Sequence, residues 1–205
     1  MATIDLCNID DVLRSPVFAE YQDGVTEPTA DVREYMQQAI LAVSDEAETV
    51  TGRWLKRDTY TETLDPEPGW RVLQLRAYPI TSVTSITVSA LDGTFPAANA
   101  FAATDYAILQ QGRSGQVGLR LGAVGLAWGV ASIRVVYVGG LAVLPENLPA
   151  DLRLAAVEQV AYVVRRASTA HLTSEAQQGG SATFYRATAL MPSVAAVFDH
   201  YRLML

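Results

Sequence analysis

TADVREYMQQAILAVSDEAETVTGRW, residues 29–54, is the stretch whose reading decides the fold. Val32, Tyr35/Met36, Ala39/Ile40, Val43, Ala47, Val50 and Trp54 recur at spacings of three and four, the period of an α-helix with one apolar face. Thr29 is placed to cap its start and Gly52 to end it or begin its exit. The opposite face, with Arg33, Gln37, Gln38, Ser44, Asp45 and Glu48, reads as a solvated or lumen-facing side.

Downstream the period changes from helical to alternating. Residues 59–64, 72–75 and 83–88 are rich in β-branched and aromatic side chains and are separated by the turn sequences Asp65-Pro66-Glu67-Pro68-Gly69 and Leu91-Asp92-Gly93. Further strands are predicted at 106–109, 116–121 and 133–138, for a small antiparallel sheet or barrel of about six strands. Helix returns after Leu144-Pro145-Glu146-Asn147-Leu148-Pro149. There Leu152, Ala155, Ala156, Val157, Val160, Ala161, Val163 and Val164 make an apolar stripe too wide for one buried face, which predicts burial against several neighbours. Upstream, residues 3–21 predict a short helix interrupted at Ser15-Pro16. Residues 168–181 are polar and rich in Gly, Gln and Ser, and lead through Thr183-Phe184-Tyr185 to a last helix over 192–205.

The expected class is α+β: a helical body, an inserted antiparallel β-rich domain and a C-terminal extension ending in a helix. The expected division is 1–57 and 141–167 for the body, 58–140 for the insert and 168–205 for the C-terminal arm.

Composition narrows the classes. With 205 residues, half of them hydrophobic, the chain can bury roughly 70% of its unfolded surface without covalent staples. One cysteine, Cys7, leaves no internal disulfide framework, no Cys/His cluster has zinc spacing, and a reducing, cytoplasmic origin is expected. No secretory pattern opens the chain and no run approaches ~18 apolar residues, so no membrane association is expected. A net charge of −7 disfavours general binding to nucleic-acid phosphates.

Candidate catalytic groups weigh against enzymology. Asp65 and Glu67 sit among prolines in a turn rather than as a general acid and base. His171 and His200 are the only histidines, and Ser114, Ser168 and Asp199 complete a triad on paper only, since no nucleophile elbow surrounds either serine. Gly112-Arg113-Ser114-Gly115-Gln116-Val117-Gly118 lacks the lysine and hydroxyl of a phosphate loop and reads as a hairpin. Cys7, in an apolar setting, reads as a quiet structural thiol. Two basic groups remain, Arg53/Lys56/Arg57 and Arg165/Arg166. Each reads first as cations offsetting a helix dipole and alternatively as a contact with DNA or an acidic partner. No cofactor, no metal and no enzymatic activity are expected.

Three segments then carry a likeness: Glu48-Thr49-Val50-Thr51-Gly52-Arg53, Leu73-Gln74-Leu75-Arg76-Ala77-Tyr78-Pro79-Ile80-Thr81-Ser82-Val83, and Val135-Val136-Tyr137-Val138-Gly139-Gly140. With the proline-leucine lead-in to residues 148–166, their order resembles the head-tail connector, or adaptor, proteins of long-tailed bacteriophages and related gene transfer agents. The likeness runs from about residue 28 to 167, with a weaker echo at 192–201. The strand-rich insert departs from the compact all-helical members.

The resemblance implies a structural protein of the virion neck, assembled in the host cytoplasm as a ring of about twelve copies beneath the portal protein and extending the DNA channel towards the tail. Such a ring at −7 per chain would carry on the order of −80 charges, so that double-stranded DNA passes without sequence-specific binding. The implied partners are the portal protein, further copies of the chain, and a stopper or tail-completion protein. Portal docking falls to Phe184, Tyr185, Arg186 and Tyr201, and packing between copies to Tyr35, Leu152, Val160, Val164, Arg165 and Arg166. Deleting residues 168–205 is expected to abolish portal binding and leave the body folded. Competing readings are a stopper or tail-completion protein, a glycan- or ligand-binding β module built on Trp70, Tyr78 and Trp128, and, more distantly, a small hydrolase.

Overall fold

The computed structural model describes residues 4–21, 27–67, 70–90, 92–120, 132–169 and 190–202. They divide into two compact units: a helical unit of residues 4–51 and 144–202, and a β unit of residues 52–143.

The helical unit begins with α1 (Ile9–Leu13), where Asn8 accepts from the Asp11 N–H at 2.8 Å while Asp11 accepts from the Asn8 N–H at 3.3 Å, a reciprocal capping box. Pro16 then forces a break, and residues Pro16–Tyr21 continue as a 3₁₀ turn. The long helix α2 (Ala30–Thr51) starts where expected, with the Thr29 carbonyl accepting from Arg33 N–H at 3.0 Å. It buries Met36, Ala39, Ile40, Val43 and Ala47. It ends at Thr51 rather than reaching Trp54, because Gly52 adopts φ +67 and turns the chain out. Ser44 also differs from its expected solvated place: it is buried, accepts from Leu6 N–H at 3.0 Å and donates to the Ile40 carbonyl at 2.8 Å. Gln37 likewise donates to Asp5 at 3.1 Å.

Helix α3 (Ala150–Thr169) packs against α1, α2 and the last helix, α4 (Pro192–His200). These helices and the Pro16–Tyr21 turn, which also meets α3, account for its wide apolar stripe, in which Leu152, Ala156 and Val160 are all buried. Helix α4 is part of this unit: Val194 and Phe198 are wholly buried, and the Met191 N–H donates to Gln159 Oε1 at 2.9 Å.

The β unit holds six strands: β1 (Asp58–Leu64), β2 (Val72–Gln74), β3 (Ile80–Val88), β4 (Tyr106–Ile108), β5 (Gln116–Leu119) and β6 (Ile133–Gly139). They form two open three-stranded antiparallel sheets, β1-β6-β3 and β2-β5-β4, so a sheet pair replaces the barrel alternative. The register of β3 against β6 shifts at Ile80/Ser82 and at Val83/Ser85, irregularities that bend the strand and increase its local twist. Leu73, Leu75, Ile80, Ile86, Val117, Ile133, Val135 and Tyr137 fill the shared core.

Candidate interaction surfaces

The first basic group belongs to the β unit's own packing. Arg53 is only 4% exposed; its guanidinium lies 3.3 Å from the Tyr78 ring centre and donates to the Tyr78 carbonyl. Arg57 donates to the carbonyls of Gly140 at 3.3 Å and Leu141 at 2.8 Å, and Lys56 pairs with Asp58 at 3.8 Å. Trp54 stacks on Tyr60 with centroids 4.7 Å apart. These cations therefore bind chain segments together rather than offsetting the end of α2.

One polar cluster escaped the sequence reading. Glu62 is buried on β1 and accepts hydrogen bonds from the Tyr137 hydroxyl and from the Arg76 N–H at 3.0 Å; the Tyr137 oxygen accepts from the Ala77 N–H at 2.9 Å. The signal was available in the alternation, because Glu62 shares its strand register with Tyr60 and Leu64, the inward-facing side. Burial, the largest influence, pushes the Glu62 carboxyl above its ordinary 4.5 despite the opposing hydrogen bonds from Tyr137 and the backbone. Burial and the neighbouring Glu62 charge also push the Tyr137 phenol up.

Because the folded chain holds the Glu62 proton more tightly than the unfolded chain, the stability this gives is complete below pH 4.5 and is lost as pH rises through the higher folded value. Glu62→Gln keeps the shape and removes the titration. Its melting temperature relative to the unsubstituted chain is expected to rise steadily as pH increases from 4.5 towards neutrality, and a pH-independent difference would contradict the assignment.

The proposed contact residues fall into three groups. Leu152, Val160 and Val164 are buried inside the helical unit, where they serve its core. Tyr35 is 41% exposed on α2, in company with Leu41 at 45%. Arg165 is exposed and its Nη1 donates to the Val17 carbonyl at 3.1 Å; Val17 is itself 41% exposed, and Arg166 is half-buried beside them. Phe184, Tyr185 and Arg186 lie outside the described residues. Tyr201, assigned with them, sits at the end of α4 and donates to Asp151 Oδ1 at 2.7 Å. The structure thus ties Tyr201 to the helical body, and deleting 168–205 removes part of that body's core along with the arm.

The other candidates are placed as follows. His200 is exposed, edge-on to Tyr201, and Asp199 pairs with Arg202 at 3.2 Å, while His171 lies outside the described residues. Ser114 belongs to the β unit. Tyr78 is buried under Arg53, Trp70 is exposed, and Trp128 lies outside the described residues, so the described aromatics form no common platform. Glu67 and Asp65 are exposed in their turn. Cys7 is buried and its thiol is pushed up to about 12, chiefly by burial with Asp11 and Asp5 adding to it, which suits a structural role. Among the described residues no group of carboxylate, histidine and cysteine side chains is arranged to hold a metal ion, and no helix is long and apolar enough to cross a membrane.

The sequence matches the head completion protein family over residues 18–204. The fold is similar to a chain of the neck of an empty gene transfer agent (GTA) particle computed with C6 symmetry, with a TM-score of 0.54 and 19% identity over 95% of this chain and 92% of that one. It is also similar to a chain of the neck of a native GTA particle computed with C12 symmetry, with a TM-score of 0.51 and 19% identity over 91% and 88% of the two chains. A chain of the virion of a native GTA particle matches with a TM-score of 0.51 and 18% identity over 95% and 92%. No curated protein sequence matches the chain. At such identities the likeness shows a shared fold.

Proposed function

The chain belongs to the head completion protein family, and from that premise we propose that it is a structural protein of the neck of a tailed, phage-like particle. In this reading it forms a ring of about twelve copies beneath the portal protein and prolongs the DNA channel towards the tail. The observation that carries the reading is the fold shared, over nearly the whole chain, with a protein of the GTA neck. The C12 symmetry of the native GTA neck supports the copy number.

Charge supports the channel role. At −7 per chain, a ring repels the phosphates of double-stranded DNA and lets it slide without a sequence-specific hold. With Tyr201 engaged by Asp151, portal docking rests on Phe184, Tyr185 and Arg186, an aromatic segment suited to adding a strand or filling a pocket. Stopper or tail-completion proteins would meet the opposite face of the ring.

Co-expression with the portal protein of the same genome tests this. A discrete added ring on the portal axis is expected by electron microscopy and mass measurement, and Phe184→Ala with Tyr185→Ala should release it while the chain keeps its melting temperature. A chain that ignores the portal and instead binds the preassembled ring of another neck protein would replace the adaptor role with that of a stopper.

A further inference from the structure

Helix α4 is fastened to the helical unit by side chains of α3. No side chain of its own segment caps its start, and the Met191 N–H is taken up instead by Gln159 Oε1 at 2.9 Å, on a glutamine that is itself buried. Ser193 donates to Glu158 at 3.2 Å and Tyr201 to Asp151 at 2.7 Å. Between these bonds Val194 and Phe198, one turn apart, are wholly buried where α4 meets α2 and α3. The helix thus sits as a separate peptide helix sits in a groove, by apolar anchors at i and i+4 with polar bonds at both ends.

The chain leading to this groove is longer than a return within one copy needs. The pairing of residue 191 with 159 and of 201 with 151 runs α4 antiparallel to α3. Gln159 stands ten residues before the end of α3 at Thr169, a distance of about 15 Å at the rise of a helix, which about five extended residues would bridge. Residues 170–189 supply roughly twenty, enough to extend about 65 Å. The surplus is several helix diameters of about 10 Å, and the first dozen of these residues are polar and rich in Gly, Gln and Ser.

Resting on the ring reading above, we propose that in the ring the α4 groove of each copy is filled by α4 of a second copy of this chain, passed across by residues 170–189. The length of that stretch selects this occupant. A neighbour's α4 makes the same bonds to Gln159, Glu158 and Asp151 and buries the same Val194 and Phe198, so the exchange gives up no contact, and trading an identical element between copies is a low-cost route to association. The isolated chain keeps α4 in its own groove, and assembly turns that link into one between copies. One donor helix and one acceptor groove per chain make the contact head to tail, as a closed ring requires. The exchange also lets α3, whose apolar stripe is buried within the unit, take part in packing between copies.

Crosslinking tests the exchange in the full-length chain. Ser193→Cys with Glu158→Cys places one thiol on each helix, at exposed positions whose side chains meet at 3.2 Å, while the native Cys7 is buried. A short bis-maleimide added to the free chain should give a product that runs as one chain on a denaturing gel. Added to rings assembled on the portal protein, it should give a ladder of covalently joined chains, with at least tenfold more multimer than the free chain yields. Rings that give the single-chain product alone overturn the exchange and leave the ring reading standing. A chain that forms no ring overturns both.

Discussion

Phe198→Ala is expected to destabilise the helical unit by about 3–5 kcal/mol, the usual cost of emptying a core aromatic site. The ring of Phe198 is wholly buried, on a nine-residue helix that also buries Val194. The helix cannot follow a shrinking side chain inwards, because polar bonds fix its flanks: Met191 N–H to Gln159 at 2.9 Å, Ser193 to Glu158 at 3.2 Å and Tyr201 to Asp151 at 2.7 Å. A residual cavity is the result. Against a typical total of about 5–15 kcal/mol, the loss is a fifth or more of the stability of an ordinary domain. Urea unfolding followed by far-ultraviolet dichroism measures it. Leu154→Ala is the control, since that side chain is 68% exposed and its removal should change stability by no more than about 0.5 kcal/mol. A Phe198→Ala loss below about 1 kcal/mol would mean that α4 does not belong to the core. The same experiment bears on the C-terminal arm, whose proposed role in docking has to be tested by substitutions rather than by removing residues 168–205.

Gly140→Ala should cost about 3 kcal/mol or more through a different mechanism. Gly140 has φ +113, and a Cβ built there falls on the carbonyl of Lys56. The chain cannot retreat, since the Gly140 N–H donates to the Pro79 carbonyl at 3.2 Å and Leu141 N–H to the Leu55 carbonyl at 2.8 Å. Its neighbour Gly139 is equally confined, since a Cβ built there would fall on the Ala77 carbonyl. Gly93→Ala separates the two causes: that residue has φ +78 but nothing within 4 Å of the added methyl, so it should pay only the backbone term of about 1–2 kcal/mol. Equal losses at the two positions would refute the steric explanation. Near-ultraviolet dichroism of the Trp54–Tyr60 stack would follow the β unit directly.

The elements that sequence revealed are those whose signal is periodic. The stripe from Val32 to Ala47 and the alternation through residues 59–64 and 133–138 depend only on which side of the chain meets the core, and α2, β1 and β6 appear where that pattern puts them. What stayed hidden depends on partners far away in sequence. Ser44 looks like a solvated helix residue until Leu6 is brought beside it, and Arg53 looks like a surface cation until Tyr78 folds beneath it. The width of the α3 stripe announced several neighbours but not whether they came from the same chain. Since α1, α2 and α4 supply them, Leu152, Val160 and Val164 belong to the core of the helical unit, while Tyr35 and Arg165 stay exposed.

The segments that carry the chain into and out of the β unit are bonded to each other. Lys56 bridges Ala142 in parallel, Arg57 N–H reaches the Ala142 carbonyl at 2.7 Å, and Leu141 N–H returns to Leu55 at 2.8 Å. The unit therefore clasps its own two ends. For the helices, all of residues 52–143 amounts entropically to a short loop, because the cost of bringing distant ends together is met inside the insert rather than by the host. An ancestor could have acquired, enlarged or exchanged this module in one step without refolding its helices, and a brief linker in its place should leave them able to find one another.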